Sequence, residues 1–302
     1  MKQILLDAFD GAKIPVDVWD EVENPKGCVQ ISHGMSEHPD RYDDFAKFLN
    51  ANGYIVAGDE HRGHRNGAVD KKDGMVNGDS WNQTMNDMDT LNDYLKETYK
   101  LPILLLGHSY GSFLSQYYLE KHSDKLVGCI LSGTSHMKNA LVQMGSCIAG
   151  MQKTFCGGQK MGKLIDKLSF GAYNKPFVEQ GQQFAWLSRD KAQVDKYEKD
   201  PDCGYVLCID FYYYFFKGVL KLYGEDAKSI RKDFNLMIAV GGDDPVSSNA
   251  KNAIKLNEFY KGLGLNPEFK IYENARHEIL NETNNEEVYN DFLTFINKVF
   301  AE

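Results

Sequence analysis

Ile103-Leu104-Leu105-Leu106-Gly107-His108-Ser109-Tyr110-Gly111 joins four consecutive aliphatic residues to a serine bracketed by glycines. An apolar run without polar alternation reads as a strand buried on both faces. The segment that follows, 112–122, has helix-like composition, so Ser109 falls on the turn between strand and helix. A G-x-S-x-G string in that setting forces the serine into a strained backbone and lifts its hydroxyl into the open. Gly107 and Gly111 keep other side chains from colliding at the turn, and the helix N-terminus behind it favours developing negative charge.

Working outward, 3–9 and 14–19 are short β-like runs flanking Asp10-Gly11, a pair favoured in tight hairpin turns. A mostly apolar strand over 27–33 stops at Gly34, and Phe45, Phe48 and Leu49 share one face of a helix over 42–49. The stretch 54–57 is another short strand, and a long polar helix over 81–99 is closed off by Pro102. After the serine come strands at 126–131, 236–240 and 268–272, a helix to about Leu263 and a last helix over 286–300. Strands alternating with helices predict an α/β fold, with a mostly parallel central sheet flanked by helices.

Between 136 and 233 the alternation disappears, while aromatics such as Phe170, Trp186 and Phe211 recur at helical spacing. This segment is expected to be a mainly helical cap over the end of the sheet, with 1–135 and 234–302 forming the core. Most of its aromatics, including the run at 212–215, are expected to pack and a few to line a pocket.

A serine hydroxyl needs a base to take its proton, and the base needs a carboxylate to fix its tautomer. On a strand–turn–helix serine the partners follow in the order Ser, Asp or Glu, His. His277, shortly after the 268–272 strand, is the only histidine beyond position 136. Asp243 and Asp244 both follow the 236–240 strand. Pro245 pushes the residue before it to an extended conformation, which favours Asp244 as the orienting acid. Two backbone N–H groups are needed for an oxyanion. Tyr110, after the serine, is one, and Met35, after the pair His33-Gly34, is the other. His33, His38, His61 and His64 lack the H-E-x-x-H or carboxylate arrangement of a metal site and read as structural. His108 is expected to pack or hydrogen-bond beneath the turn. No metal and no cofactor are called for.

Composition is that of an ordinary soluble globular protein. Hydrophobic residues make up 42% and charged ones 25%, and the net charge of −9 argues against nucleic-acid binding and against a strong anionic docking site. Six cysteines without a C-x-x-C pair read as reduced thiols. No apolar run reaches the length of a signal peptide or a membrane span, so a cytoplasmic protein without stable membrane insertion is expected. Nothing bears on oligomeric state.

His33-Gly34-Met35-Ser36-Glu37-His38 with Arg41-Tyr42, Glu60-His61-Arg62-Gly63-His64, the serine turn, Gly241-Gly242-Asp243-Asp244-Pro245-Val246 and Ala275-Arg276-His277-Glu278 together resemble the motifs of monoacylglycerol lipases and bacterial lysophospholipases. These belong to the serine aminopeptidase-like branch of the α/β-hydrolase superfamily. The resemblance implies an α/β-hydrolase fold, a capped site, the triad Ser109, Asp244 and His277, and hydrolysis of a small-molecule carboxylic ester. Candidate substrates are a monoacylglycerol, a lysophospholipid or a small lipophilic ester. It departs from the family where Glu60 replaces Asp, Arg65 replaces Gly, and Tyr110 stands in place of Met beside the serine. Two other readings stand beside it. One is an aminopeptidase, with Glu179 or Asp190 holding a substrate ammonium. The other is a non-catalytic ligand receptor on the same scaffold.

Overall fold

The computed structural model describes residues 1–301. The chain opens with a hairpin, β1 (Lys2–Asp7) and β2 (Lys13–Trp19), turned at Gly11 with φ +81°. The core continues through β3 (Gly27–Ser32), α1 (Asp43–Ala51), β4 (Tyr54–Asp59), α2 (Ser80–Tyr99), β5 (Ile103–His108), α3 (Tyr110–His122) and β6 (Gly128–Ser132). It resumes with β7 (Asn235–Gly241), α8 (Lys251–Gly262), β8 (Glu268–Tyr272) and α9 (Asn285–Ala301).

Among the described residues the strands form one eight-stranded sheet in the order β1-β2-β4-β3-β5-β6-β7-β8. From β4 to β8 every neighbouring pair is parallel, and only β1 and β2 are antiparallel additions at one edge. The aliphatic run of β5 serves both faces because side chains alternate along a strand. Ile103 and Leu105 pack with Met88, Leu91 and Leu114 of α2 and α3. Leu104 and Leu106 pack with Phe45, Leu49, Phe292 and Ile296 of α1 and α9. All four are buried at 1% exposure or less, which is why no polar residue interrupts the run.

The segment 136–233 adds no strand to that sheet. It carries α4 (Ala140–Cys156), α5 (Lys163–Phe170), α6 (Lys191–Lys199) and α7 (Ile209–Val219), with one isolated bridge between Met161 and Cys208. α7 seats it on the core: at Gly218 a Cβ would lie 2.1 Å from the Trp81 ring of α2, so only glycine lets the helices approach this closely. α3 starts at Tyr110, two residues before the sequence suggests, because the serine turn enters the helix without a linker. No helix among the described residues is long and apolar enough to cross a membrane.

Candidate active site

Ser109, Met35, Asp244 and His277 each follow the C-terminal end of a parallel strand, β5, β3, β7 and β8 respectively. In open α/β sheets this edge is where ligands bind. Ser109 sits at φ 51°, ψ −117°, a conformation outside the ordinary regions for an L-residue. Its N–H is held by the Ser132 carbonyl at 3.0 Å, and its own carbonyl accepts from Ser112 Oγ at 2.6 Å. The flanking glycines answer close approaches beneath the turn. A Cβ on Gly111 would lie 2.0 Å from the Ser32 carbonyl oxygen, and one on Gly107 would lie 2.5 Å from the Gly111 carbonyl oxygen.

His277 Nδ1 donates to Asp244 Oδ1 at 3.0 Å, and the same oxygen accepts the Val246 N–H at 2.8 Å. Asp244 is fully buried, while Asp243 is half-buried with its N–H on the Ala275 carbonyl. Burial works against a charged His277 ring. The Asp244 carboxylate, with Glu278 and Glu37 behind it, outweighs that cost and raises the ring above its ordinary 6.5. His108 is buried beside the turn, its Nδ1 3.4 Å from Ser132 Oγ. It lines the cavity with its ring 4.8 Å from that of His277, and burial together with the neighbouring imidazole lowers it to about 4.

The loop after β3 is fixed by neutral histidines. The His61 N–H donates to His33 Nε2 at 3.1 Å, which leaves His33 Nδ1–H to donate to the Gly34 carbonyl at 2.7 Å. In a trans peptide the C=O and N–H point opposite ways. Tying down the Gly34 carbonyl therefore aims the Met35 N–H away from His33. The Gly34 N–H is taken by Glu37 Oε1 at 2.5 Å, and the Ser36 N–H by His64 Nε2 at 3.0 Å. Tyr110 supplies its N–H from the first position of α3, where helix geometry leaves it unused. Its ring lies among Trp81, Phe211 and His64 in a buried aromatic cluster.

Side-chain contacts hold the second loop at both of its departures. Arg65 stands at φ 47° where the related motif has glycine, and Asp40 at 3.0 Å, His38 at 3.1 Å and Asp73 on its N–H at 2.7 Å hold it there. Glu60 accepts the Asn66 N–H at 2.8 Å. His38, Asp200 and Cys203 do bring three potential ligand atoms within 4.8 Å of one another. Because Arg65 donates to His38 Nδ1, the opposite nitrogen donates to Asp200 at 3.0 Å, and both ring nitrogens are taken up in hydrogen bonds.

Ser109, His277, His108, Gly34, Met35 and Tyr110 open on one cavity of about 950 Å³. Its walls are chiefly apolar side chains from 136–233, including Ile148, Phe170, Trp186 and Phe216. Tyr212 and Phe215, expected to be pure core, also face it. No Lys or Arg lines it, and its carboxylates are Glu37, Asp166 and Glu278. Two expectations for an ammonium site are corrected. Glu179 is exposed, and Asp190 caps α6 by accepting the Ala192 N–H at 2.8 Å, so neither reaches the cavity.

Residues 23–284 match the family described as "Serine aminopeptidase, S33". The chain is 27% identical over 276 residues to a monoglyceride lipase homolog of Monkeypox virus, covering 91% of this chain and 90% of that protein. It is 25% identical over 192 residues to a monoglyceride lipase of Rattus norvegicus, 64% of this chain and 57% of that protein. Among solved structures, a thermostable carboxyl esterase from Bacillus coagulans superposes with TM-score 0.89 at 26% identity, covering 99% of this chain and 98% of that one. A soluble variant of the Saccharomyces cerevisiae monoglyceride lipase shares the fold, with TM-score 0.77 at 22% identity over 99% of this chain and 95% of that one.

Proposed function

The chain belongs to the serine aminopeptidase S33 family of α/β-hydrolases, and from that premise we propose that it hydrolyses uncharged lipophilic monoesters of the monoacylglycerol kind through an acyl-enzyme on Ser109. The observation that carries the reading is the strained Ser109 and the Asp244-bonded His277 facing one apolar cavity that, among the described residues, no Lys or Arg lines. Its relatives named monoglyceride lipase and carboxyl esterase support the ester as the bond cleaved.

Asp244 accepts a hydrogen bond from the Nδ1–H of His277, which leaves Nε2 free to accept the Ser109 hydroxyl proton as Oγ attacks the ester carbonyl. The Met35 and Tyr110 N–H groups receive the oxyanion. Collapse expels the alkoxide, protonated by His277, and water deprotonated by the same ring releases the acid. The segment 136–233 acts as the cap, its apolar wall taking the acyl chain out of water at about 0.8 kcal/mol per methylene.

The lining argues among esters as well. A lysophospholipid would bring its phosphate against Asp166 and the net negative Glu37–Arg41–Glu278 group, with no Lys or Arg on the lining to meet it, whereas a glycerol head group carries no such charge. Purified protein is therefore expected to cleave a monoacylglycerol well and a lysophospholipid of the same acyl chain poorly. Ser109→Ala is expected to abolish both turnover and labelling by a fluorophosphonate. Unchanged turnover in Ser109→Ala would refute the proposal.

A further inference from the structure

Arg41 lies between two buried carboxylates, Glu37 and Glu278, both of which line the cavity. Its guanidinium is bidentate to Glu278, Nη1 and Nη2 each donating at 2.7 Å, and Nη1 also donates to Glu37. The three side chains are 10% exposed or less. Glu37 Oε1 in turn accepts from the Tyr42 hydroxyl at 2.9 Å and from the Gly34 N–H at 2.5 Å. Tyr197 of α6 covers the guanidinium at 4.7 Å and donates to the Ser36 carbonyl at 3.1 Å.

These contacts join parts of the site that the backbone does not. The Met35 loop follows β3 and the His277 loop follows β8, with β5, β6 and β7 between them in the sheet. Among the described residues no backbone hydrogen bond connects the two loops. An oxyanion donor and a base must nevertheless be held to within about half an ångström of each other's frame for efficient transfer. We propose that Arg41, Glu37 and Glu278 form a positioning clamp, which fixes the Met35 loop against the His277 loop and whose net negative charge tunes the base. The inference rests on the roles given above to Met35 and His277.

The charges facing His277 come from four sides: Asp244 after β7, His108 at the end of β5, Glu37 on the Met35 loop and its own neighbour Glu278, with Arg41 balancing the last two. Two carboxylates against one guanidinium leave one negative charge. Glu278 stays ionised, since burial is outweighed by Arg41 and its carboxyl is held at about 2. Arginine suits the task because its planar fork meets a carboxylate along two parallel bonds, which a lysine cannot do.

Three variants separate charge from geometry when studied well below the melting temperature of each. Glu278→Gln removes one negative charge, so the acidic limb of kcat/KM is expected to move down by about 0.5 to 1 pH unit. Arg41→Gln unbalances the carboxylates and should move the limb up. It should also lower kcat about 10- to 100-fold, with KM changed by less than about 3-fold. Arg41→Lys keeps the charge but loses the fork, so the limb should stay in place while kcat falls. NMR titration of the His277 ring in the resting protein reads the same shifts without a substrate. A wrong substrate assignment would thus show as missing turnover with the titration still moving. Should Arg41→Gln fail to fold, the other two carry the test. Wild-type limb and kcat in Glu278→Gln and Arg41→Lys, or limb shifts of one sign in Glu278→Gln and Arg41→Gln, would overturn the clamp.

Discussion

Asp243 and Asp244 are chemically identical neighbours with different surroundings, and the difference is what an acid partner requires. Asp244 is buried and bonded to His277, whereas Asp243 keeps partial contact with solvent. Replacing Asp244 with Asn leaves the shape but allows the wrong imidazole tautomer, so kcat should fall about 10⁴-fold, as in serine proteases with the same change. Asp243→Asn should stay within about 3-fold of wild type; equal losses in the two variants would reverse the assignment. His277 must be neutral to act, and its environment raises it above 6.5. Activity should therefore fall as pH drops through a limb lying above 6.5, which a kcat/KM profile on a soluble ester reads directly. That Asp244 rather than Asp243 would be aimed by the turn was an expectation drawn from Pro245, which restricts the residue before it, and Asp244 is the one bonded to His277. The carboxylates that ring the base were not legible in the sequence, since Glu37 and Glu278 lie 241 positions apart and meet only through Arg41.

The serine turn was readable as an element because every requirement on it is local: an apolar strand, two glycines and a helix within twenty residues. Gly111→Ala tests that reading, since its Cβ would fall 2.0 Å from a backbone oxygen of β3 that cannot move aside. The variant is expected to lose at least ~3 kcal/mol of stability in urea unfolding, the range of severe overpacking. The helices of 136–233 were less legible, because their apolar residues serve both packing and the cavity. α4 shows the difficulty. Leu141, Met144, Met151 and Phe155 recur at helical spacing, which in sequence reads as a core-facing stripe, yet all four are exposed. Leu141 and Met144 also line the cavity, so this face sits at its mouth. An exposed apolar face there favours contact with the aggregates in which long-chain monoesters exist. Replacing Leu141 and Met144 together by Ser should raise KM several-fold for a dispersed long-chain monoester and leave that for a soluble short-chain ester nearly unchanged. Equal effects on both would make the face a plain cavity wall.

At the scale of the molecule, the alternation of strands and helices in the sequence pointed to the sheet and to the edge where the Ser109, Asp244 and His277 loops gather, but not to the charges sealed beneath them. Asp17 of β2 is fully buried and faces Asp40 in the turn that follows the Met35 loop, with Gln3 donating to it at 3.0 Å. A lone Asp in a strand pattern reads as its solvent side, and only the antiparallel edge strands and the folded-over loop make it interior. Burial first, then the hydrogen-bonded Asp40 carboxylate and the more distant Glu60, raise Asp17 from its ordinary 3.8 to about 7. The folded chain thus retains a proton that the unfolded chain releases at lower pH. By linkage its stabilising share is complete below about 4 and is lost as pH rises through 7, with a slope of up to about 1.4 kcal/mol per pH unit. Asn at this position imitates the protonated acid, keeping an acceptor for Gln3 and a donor for Asp40, and cannot ionise. Asp17→Asn should therefore gain stability relative to wild type as pH increases from 5 to 8, matching or exceeding it at pH 8. Thermal unfolding of both proteins across that range measures the difference. A gap independent of pH would mean that Asp17 and Asp40 do not share a proton in the folded protein.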